Sequence, residues 1–304
     1  MIEKVDWDSL NISTEVLTEQ LFQEKHISVS VLRLDKLDPF VSGNKIFKLK
    51  YYLLEALALN ATLITFGGAY SNHLYATAAA CKRYNIRCLG IVRGERNANL
   101  SHTLQFCEGQ GMKLKFISRS AYDRKEHPEY LNELLFEFGP HILVPEGGSG
   151  KEGVAGAGDI SAFCNDAYYS HTCCAVGSGT TIAGLIQASL PNRNIIGFSV
   201  VGKQYDLHTR IASMLPGVNS KHYTILNDYH FGGFAKRSPG LLAFMNTFYA
   251  NHNIPTDFVY TGKMLYGIFD LVLKDYFQRG SKILCIHTGG LQGNASLPNG
   301  SLVF

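Results

Sequence analysis

One turn of the sequence places three polar side chains directly after a pair of glycines. In "GGAYSNH", residues 67–73, the glycines leave an apolar strand, and Ser71, Asn72 and His73 stand where a helix should begin. Serine and asparagine cap helices because their side-chain oxygens accept from unpaired first-turn N–H groups. The same turn gathers backbone donors at the positive end of a helix dipole, which suits an anionic ligand. The turn alone is compatible with a structural cap or an anion site.

A second glycine turn, in "VGSGTTIAG", follows another apolar run and also opens a helix. Glycines let successive N–H groups converge, and hydroxyl side chains add donors, so the turn suits a phosphate group. It lacks the lysine of a P-loop and the full dinucleotide spacing, so a structural turn with hydroxyl caps is the competing interpretation. The residues that would bind the phosphate are Gly177, Ser178, Gly179, Thr180 and Thr181, and a side chain at Gly179 is expected to fill the space that the phosphate oxygens approach.

Three further segments carry side chains that could react. In "SGNKIFKLKYY", Lys45 follows Gly43 and Asn44 at a predicted helix start, where a lone lysine is usually a solvated charge. The segments "FVYTGKMLYG" and "IHTGG" are glycine turns after strands, and taken singly they are mostly structural. Their polar residues are Tyr260, Thr261 and Thr288.

The elements that must position these turns follow an α/β pattern. Short runs rich in Val, Ile and Leu alternate with segments of helical period, which predicts a parallel sheet wrapped by helices. Six glycines between Gly147 and Gly158 predict a domain crossing or a cleft wall. Strands are predicted at residues 27–35, 61–66, 87–92, 113–118, 141–145, 171–177, 194–202 and 282–290, and helices at 46–60, 72–85, 102–111, 128–139, 182–190 and 205–215.

Composition narrows the class of protein. The 304 residues are 46% hydrophobic and 17% charged, enough for one large core or two domains that share a cleft. The net charge is +3 without a basic block, so neither nucleic acid nor a membrane surface is indicated as a partner. Seven cysteines without a C-x-x-C pair predict reduced thiols in a cytoplasmic protein, and no metal site is expected. The start "MIEKVDWDSL" lacks a signal peptide's apolar segment, and no apolar run is long enough to span a membrane.

Taken together, the turns fit one cofactor. A lysine at a helix start, an asparagine-bearing glycine turn one βα unit later and a distant phosphate nest are what pyridoxal 5'-phosphate needs. The chain resembles the 1-aminocyclopropane-1-carboxylate deaminase and D-cysteine desulfhydrase family, whose fold is that of the tryptophan synthase β-subunit. The motifs that carry the resemblance are, in order, "SGNKIFKLKY", "GGAYSNH", "PEGGS", "GSGTTIAG", "YTGK" and "HTGG".

This resemblance implies a definite architecture. Two open, mostly parallel twisted sheets wrapped by helices would hold the cofactor in the cleft between two domains. The larger, cofactor-binding domain would comprise residues 1–45 and 147–304, and the smaller domain, residues 46–146, would close over the cofactor. A homodimer and a small amino-acid substrate are implied as well.

The resemblance also assigns the cofactor contacts. Lys45 would be the Schiff-base lysine, and Lys48 a neighbour of the phosphate, which residues 177–181 would clasp. Asn72 would hold the phenolic oxygen. Thr261 would lie beside the pyridine nitrogen, with Thr288 on the same wall.

Substrate contacts follow from the same turn. Ser71 would sit over the cofactor face, where it serves the substrate carboxylate and nearby proton transfers, and Tyr260 would lie beside the substrate. The carboxylate would bind at Ser71, Asn72 and His73, mainly through backbone N–H groups. The residues implied to act in catalysis are Lys45, Ser71 and Tyr260.

Two threonines bear on the choice of reaction. The ring-opening branch of the resemblance has Glu and Leu where this chain has Thr261 and Thr288. A threonine cannot favour a protonated ring nitrogen as a carboxylate does, and its hydroxyl can donate to a neutral nitrogen, which makes a weaker electron sink. That favours β-elimination from a small D-amino acid, D-cysteine first, to pyruvate, ammonia and sulfide.

Two other functions stay open at this point: opening of the cyclopropane amino acid to 2-oxobutanoate, and a non-catalytic pyridoxal-phosphate-binding protein. Retention of Ser71 and Tyr260 argues against the second. Ile46 and Phe47 stand where the family usually has polar or bulky aromatic and basic residues, so the physiological substrate stays open too.

Overall fold

A computed structural model describes residues 10–165, 168–190, 193–202, 205–215, 217 and 223–304. Its strands are β1 (Thr14–Val16), β2 (Ser28–Arg33), β3 (Thr62–Gly67), β4 (Cys88–Arg93), β5 (Lys113–Ile117), β6 (His141–Val144), β7 (His171–Val176), β8 (Asn194–Ser199), β9 (Tyr223–Leu226) and β10 (Lys282–His287). Its α-helices are α1 (Gln20–Glu24), α2 (Asn44–Leu59), α3 (Asn72–Arg83), α4 (His102–Gly109), α5 (Arg119–Asp123), α6 (Pro128–Phe138), α7 (Lys151–Gly158), α8 (Thr180–Ala188), α9 (Leu207–Met214), α10 (Pro239–His252) and α11 (Thr261–Leu273).

The strands form two separate sheets. One has four parallel strands in the order β5-β4-β3-β6, and the other has six in the order β1-β2-β10-β7-β8-β9. Within the larger sheet only β1 is antiparallel to its neighbour. Helices cover both faces, so the central strands are buried almost throughout, as parallel sheets require. The predicted α/β class with two mostly parallel sheets is confirmed.

The smaller sheet takes all its strands from the continuous stretch between residues 62 and 144, whereas the larger sheet draws on the chain before and after it. Domain boundaries at residues 46 and 147 stay a prediction. The helix α2, which begins at Asn44, runs across the lower of these boundaries.

The glycine-dense stretch is more regular than a crossing loop. After a short 3-10 turn at residues 146–148 it forms α7, and its glycines are sites of close backbone contact. A Cβ atom on Gly153 would lie 1.9 Å from the carbonyl oxygen of Gly148, and one on Gly156 would lie 2.1 Å from that of Phe47. On the other side, a Cβ on Gly184 of α8 would lie 2.5 Å from the nitrogen of Gly158. Helix α7 is therefore wedged, backbone to backbone, between α2 and α8.

Helices α10 and α11 were not predicted from the sequence. Ser238 caps α10 by accepting from the amide of Leu241, and Pro239 occupies its first turn, a start signal that the sequence does contain. Helix α11 is mostly apolar and buried along most of its length, with only its last residue, Leu273, exposed. No helix in the described part of the chain is both long and apolar enough to cross a membrane.

Candidate active site

The glycine turns singled out in the sequence meet where parallel strands end, as expected for open α/β sheets. The turn before α2 lies directly on the turn after β10, where the amide of Asn44 donates to the carbonyl oxygen of Thr288 at 3.2 Å. Gly43 has φ +66°, and a Cβ there would lie 1.9 Å from that same oxygen. Only glycine allows the backbone to approach this closely, so the position of Lys45 depends on Gly43.

The same turn is tied to the predicted phosphate nest. The side-chain amide of Asn44 donates to Thr181 Oγ1 at 2.7 Å, and both residues are buried. Ser178 Oγ and Thr180 Oγ1 lie 3.0 Å apart, and Lys48 Nζ lies 3.5 Å from Ser178 Oγ. The structure thus brings Lys48 and the hydroxyls of the nest together.

Gly179 has φ +86° at the start of α8, but its missing side chain does not face the nest. A Cβ there would meet Met214 at 3.1 Å and Ile211 at 3.2 Å, both on α9. The expectation that a side chain at Gly179 would fill the space for the phosphate is therefore corrected. Glycine is required here by the backbone conformation and by the packing of α9.

Two lysines dominate the electrostatics, the partly buried Lys45 and the buried Lys48. Lys45 donates to Asn44 Oδ1 at 3.1 Å, and desolvation lowers its pKa to about 8, against an opposing effect of Asp257. Lys48 is 2% exposed, and burial together with the charges of Lys45 and Arg210 holds its pKa well below 10.5. Neither ammonium has a carboxylate partner among the described ion pairs. Two crowded lysines beside a hydroxyl nest favour an anion such as a phosphate, which would stabilise their charged forms.

The mouth of α3 supplies backbone donors. Ser71 caps the helix, since its Oγ accepts from the amide of Leu74 at 3.2 Å. The N–H groups of Asn72 and His73 have no acceptor among the described residues, as is usual in the first turn of a helix. These two groups can receive a carboxylate, so a structural helix cap and an anion site are compatible in "GGAYSNH".

The imidazole of His73 points behind this mouth. Thr65 donates its hydroxyl to the carbonyl of Val144 at 2.8 Å, so its oxygen accepts from His73 Nε2, also at 2.8 Å. This network assigns the proton to Nε2 and leaves Nδ1 as a buried lone pair without a partner in the described structure. Burial and the charges of Lys45 and Lys48 hold the pKa of His73 well below 6.5, so the ring is neutral. Only the backbone of His73 can serve a ligand at the helix mouth.

Tyr260 lies over the beginning of the nest. A Cβ on Gly177 would be 3.1 Å from Tyr260 Cε1, so glycine at 177 makes room for the phenol ring. Burial and the negative charges of Asp257 and Glu146 raise the pKa of Tyr260 above its ordinary value of 10.0. The residue therefore stays a neutral phenol that can donate a hydrogen bond.

Asp257 is the residue that the sequence interpretation missed. It is fully buried, and its carboxylate accepts from the amides of Val259, Tyr260 and Thr261 and from the hydroxyl of Thr261, at 2.7–2.9 Å. The expectation that Thr261 donates to a ring nitrogen conflicts with this geometry, because its hydroxyl proton is directed to Asp257. Asp257 is not the N-cap residue of α11, which is Tyr260, so the capping pattern does not mark it; its bond from the amide of Val259, two residues on, is an Asx turn that many aspartates in loops can form.

Asn72 and Asp257 face one another across Gly290. A Cβ on Gly290, which has φ +94°, would lie 3.0 Å from Asn72 Nδ2 and 3.4 Å from Asp257 Cγ. The threonine before this glycine pair, Thr288, is 7% exposed. The turns at residues 67–73, 257–261 and 287–290 thus form one continuous wall of the candidate site.

The residues present fit pyridoxal phosphate. The unneutralised Lys48 and the nest suit its phosphate, and Lys45 has a lowered pKa, which favours the neutral amine that reacts with an aldehyde. In the described residues no group of three or more His, Cys, Asp or Glu side chains could hold a metal ion.

Comparison with known proteins adds independent findings. Residues 13–289 match the family described as pyridoxal-phosphate dependent enzymes. A Pyrococcus horikoshii protein with the provisional name 1-aminocyclopropane-1-carboxylate deaminase is 30% identical over 96% of this chain and 92% of its own length. A mitochondrial Arabidopsis thaliana protein, named bifunctional D-cysteine desulfhydrase/1-aminocyclopropane-1-carboxylate deaminase, is 31% identical over 83% of this chain and 70% of its own. A crystal structure titled as an ACC deaminase homologue superposes with a TM-score of 0.75 at 28% identity, over 96% of this chain and 93% of that one.

Proposed function

The chain belongs to the pyridoxal-phosphate-dependent enzymes, within the group of 1-aminocyclopropane-1-carboxylate deaminases and D-cysteine desulfhydrases, and from that premise we propose that it eliminates sulfide from D-cysteine. The reaction takes D-cysteine and water to pyruvate, ammonia and hydrogen sulfide. One observation supports it above the others: Lys45, the nest and the donor-rich mouth of α3 are joined through the contacts of Asn44, Thr288 and Gly290.

In this proposal the chain's own residues hold the cofactor at both ends. Lys45 carries it covalently through Nζ, while Lys48 and residues 177–181 bind its phosphate, and Asn72 binds its phenolic oxygen. When bound, pyridoxal phosphate supplies an electron sink for the electron pair released at the substrate's Cα.

Around the substrate, the first-turn amides of α3 bind the carboxylate and orient the Cα–H bond. The freed amine of Lys45 accepts the Cα proton, and its lowered pKa gives the neutral fraction that a base needs near neutral pH. Ser71 lies at the N-terminus of α3, where its hydroxyl serves the substrate carboxylate and nearby proton transfers. The neutral phenol of Tyr260 donates a hydrogen bond beside the substrate.

The preference for elimination rests on Thr288 and on the substrate. Thr288 stands where the ring-opening branch has Leu, and a cyclopropane substrate has no Cα–H for Lys45 to remove. Thr261 stands where that branch has Glu, but its hydroxyl proton is directed to Asp257, so it does not by itself decide the reaction. Opening of 1-aminocyclopropane-1-carboxylate to 2-oxobutanoate is the second candidate, because the Pyrococcus relative and the superposed crystal structure carry that name. The third candidate is a protein that binds pyridoxal phosphate without catalysing a reaction.

The deciding experiment loads the protein with pyridoxal phosphate and measures pyruvate and sulfide from D-cysteine, L-cysteine, β-chloro-D-alanine and D-serine. Release of 2-oxobutanoate from the cyclopropane amino acid is measured in parallel. We expect D-cysteine to be the best substrate. Efficient ring opening with D-cysteine a poor substrate would refute the proposal.

Borohydride trapping tests the position of the cofactor. Lys45→Ala should abolish the trapped adduct, whereas Lys50→Ala, on the same helix but paired with Asp159, should leave it unchanged. An adduct mapped to Lys48 would overturn the assignment.

We propose a cytoplasmic location on the basis of the thiols. All seven cysteines are buried, and six of them, Cys81, Cys88, Cys107, Cys173, Cys174 and Cys285, are free thiols, which accords with a reducing compartment. The homodimer rests on the resemblance, and sedimentation of the loaded protein would test it.

A further inference from the structure

We propose that Asp257 acts through Thr261 to keep a proton on the ring nitrogen of the bound cofactor, so that this threonine has the effect of a carboxylate. The inference rests on the proposed function, since it requires pyridoxal phosphate with its ring nitrogen beside Thr261. Asp257 does not touch the reacting atoms and is a positioning residue.

The state of the carboxylate follows from its donors. Oδ1 accepts from the Thr261 amide at 2.8 Å and from Thr261 Oγ1 at 2.7 Å, while Oδ2 accepts from the amides of Val259 at 2.9 Å and Tyr260 at 2.8 Å. A carboxylate that receives four donors is stabilised in its ionised form. Burial acts the other way and prevails in the balance, since the pKa of Asp257 is raised above 3.8 despite the bonds to Thr261 and Tyr260. The ionised form follows instead from the geometry, because each oxygen of this fully buried carboxylate accepts two donors and has no lone pair left for a proton.

The state of the hydroxyl follows from the carboxylate. An ionised carboxylate can only accept, so the single hydroxyl proton of Thr261 goes to Asp257. One of the two lone pairs on Thr261 Oγ1 is also occupied, because the backbone amide of Asp257 donates to it at 2.9 Å. What remains is one lone pair, so the hydroxyl can accept a hydrogen bond but has no proton to donate.

An oxygen that can only accept selects one form of its partner. A neutral pyridine nitrogen also only accepts, and the two lone pairs would face each other at a cost. A protonated nitrogen donates, and it completes a chain from the ring through Thr261 to the charge of Asp257. The carboxylate polarises the hydroxyl and makes its oxygen a stronger acceptor, which favours the protonated ring further.

The position of the pair agrees with this role. Asp257 Cγ and Asn72 Nδ2 lie on the two sides of Gly290, within 3.4 Å of where its side chain would begin. On a pyridoxal ring the carbon that bears the phenolic oxygen and the nitrogen flank the same ring carbon. Asn72 and Thr261 can therefore hydrogen-bond to these two atoms at the same time. The charge of Asp257 reaches the reactive end of the site as well, where it opposes the lowering of the pKa of Lys45.

This relay changes what the threonine means for the reaction. If the ring nitrogen is protonated, the electron sink is strong despite the absence of a glutamate at position 261. The choice between elimination and ring opening then depends on the wall near Thr288 and on the Cα–H of the substrate. In that case the protonation state of the ring nitrogen does not decide between elimination and ring opening.

The test loads the protein with pyridoxal phosphate labelled with nitrogen-15 in its ring and records the nitrogen-15 chemical shift near neutral pH. We expect the shift of a pyridinium in the wild type and in Thr261→Ser, which keeps the hydroxyl. Asp257→Asn and Thr261→Val should move it to the shift of a neutral pyridine. Asp206→Asn is the matched control: Asp206 also accepts from a threonine amide and hydroxyl, those of Thr209, but on the surface, and its loss should leave the shift unchanged.

A neutral nitrogen in the wild type would overturn the inference, and so would a pyridinium that survives in Thr261→Val. If Asp257→Asn does not fold, the wild type and the two Thr261 variants decide the question alone. Failure of the wild type to bind the labelled cofactor would overturn the proposed function and this inference with it. Cofactor bound with a neutral nitrogen overturns this inference only.

Discussion

Gly43→Ala should separate the steric from the conformational demands of the lysine turn. The residue has φ +66° and ψ −138°, a region closed to residues with a side chain, and forcing alanine there costs about 1–3 kcal/mol. The new Cβ would also lie 1.9 Å from the oxygen, 2.2 Å from the carbon of Thr288 and 2.5 Å from the nitrogen of Gly289. These are backbone atoms that cannot rotate away, so overpacking adds about 1–3 kcal/mol.

A matched control exists at Gly139, the residue after α6. It has φ +68° and ψ −167°, but a Cβ there meets nothing within 4 Å. Gly139→Ala should therefore carry the conformational cost alone. At about 2 °C per kcal/mol for a chain of this length, Gly43→Ala should melt about 2–6 °C below Gly139→Ala.

The functional readout follows from the displacement. To restore an ordinary contact of 3.4 Å, the turn that carries Lys45 must move by about 1.5 Å away from Thr288. Misplacement of a reacting group by about 1 Å can cost about a hundredfold in rate. We expect that loss in Gly43→Ala and normal turnover in the folded fraction of Gly139→Ala. Equal melting temperatures together with unchanged turnover in Gly43→Ala would refute the reasoning.

Three further predictions concern the same site. Lys48→Met should weaken cofactor binding about 10- to 100-fold in a fluorescence titration, because a charged hydrogen bond to the phosphate is lost, and unchanged affinity would place the phosphate elsewhere. Gly179→Val should lower the free energy of unfolding in urea by about 1–3 kcal/mol, because φ is +86° and the side chain meets α9; an unaltered midpoint would contradict this. Covalent uptake of pyridoxal phosphate by the apo-protein, trapped with borohydride, should rise with pH about a midpoint near 8. Burial disfavours the ammonium of Lys45 and so yields the neutral amine at lower pH, whereas a midpoint near 10.5 would show that burial does not tune it.

Local patterns in the sequence were sufficient for eight of the ten described strands and for most of the turns, whereas the edge strands β1 and β9 were not predicted. Apolar runs bounded by glycine predicted strands such as β3 and β7, because the strands of a parallel sheet are buried on both faces. The lysine turn and the nest were found as separate motifs. Their direct link, from Asn44 to Thr181, joins residues 137 positions apart and has no local signature.

The charge of the wall formed by residues 67–73, 257–261 and 287–290 could not be predicted from the sequence either, because it depends on contacts that only the fold creates. Thr261 reads as a free hydroxyl, and only the fold shows that a buried carboxylate four residues earlier takes its proton. Gly179 was read as a space for phosphate, whereas the structure turns that space toward α9. In both cases the residue type was informative, but the direction of the side chain depended on tertiary packing.

The position of α7 between α2 and α8 limits which substitutions this site can accept during evolution. The helix that carries Lys45 and Lys48 and the helix that begins at the nest are separated by α7 through contacts of backbone on backbone. Backbone atoms therefore set the spacing of these two helices at the glycine contacts, and a larger side chain at Gly156 or Gly184 would force them apart. The turn at Thr288 is not packed on α7, but its backbone is held directly against Gly43. A change of side chain at Thr288 can therefore alter the substrate side of the site while the backbone that seats the cofactor stays in place.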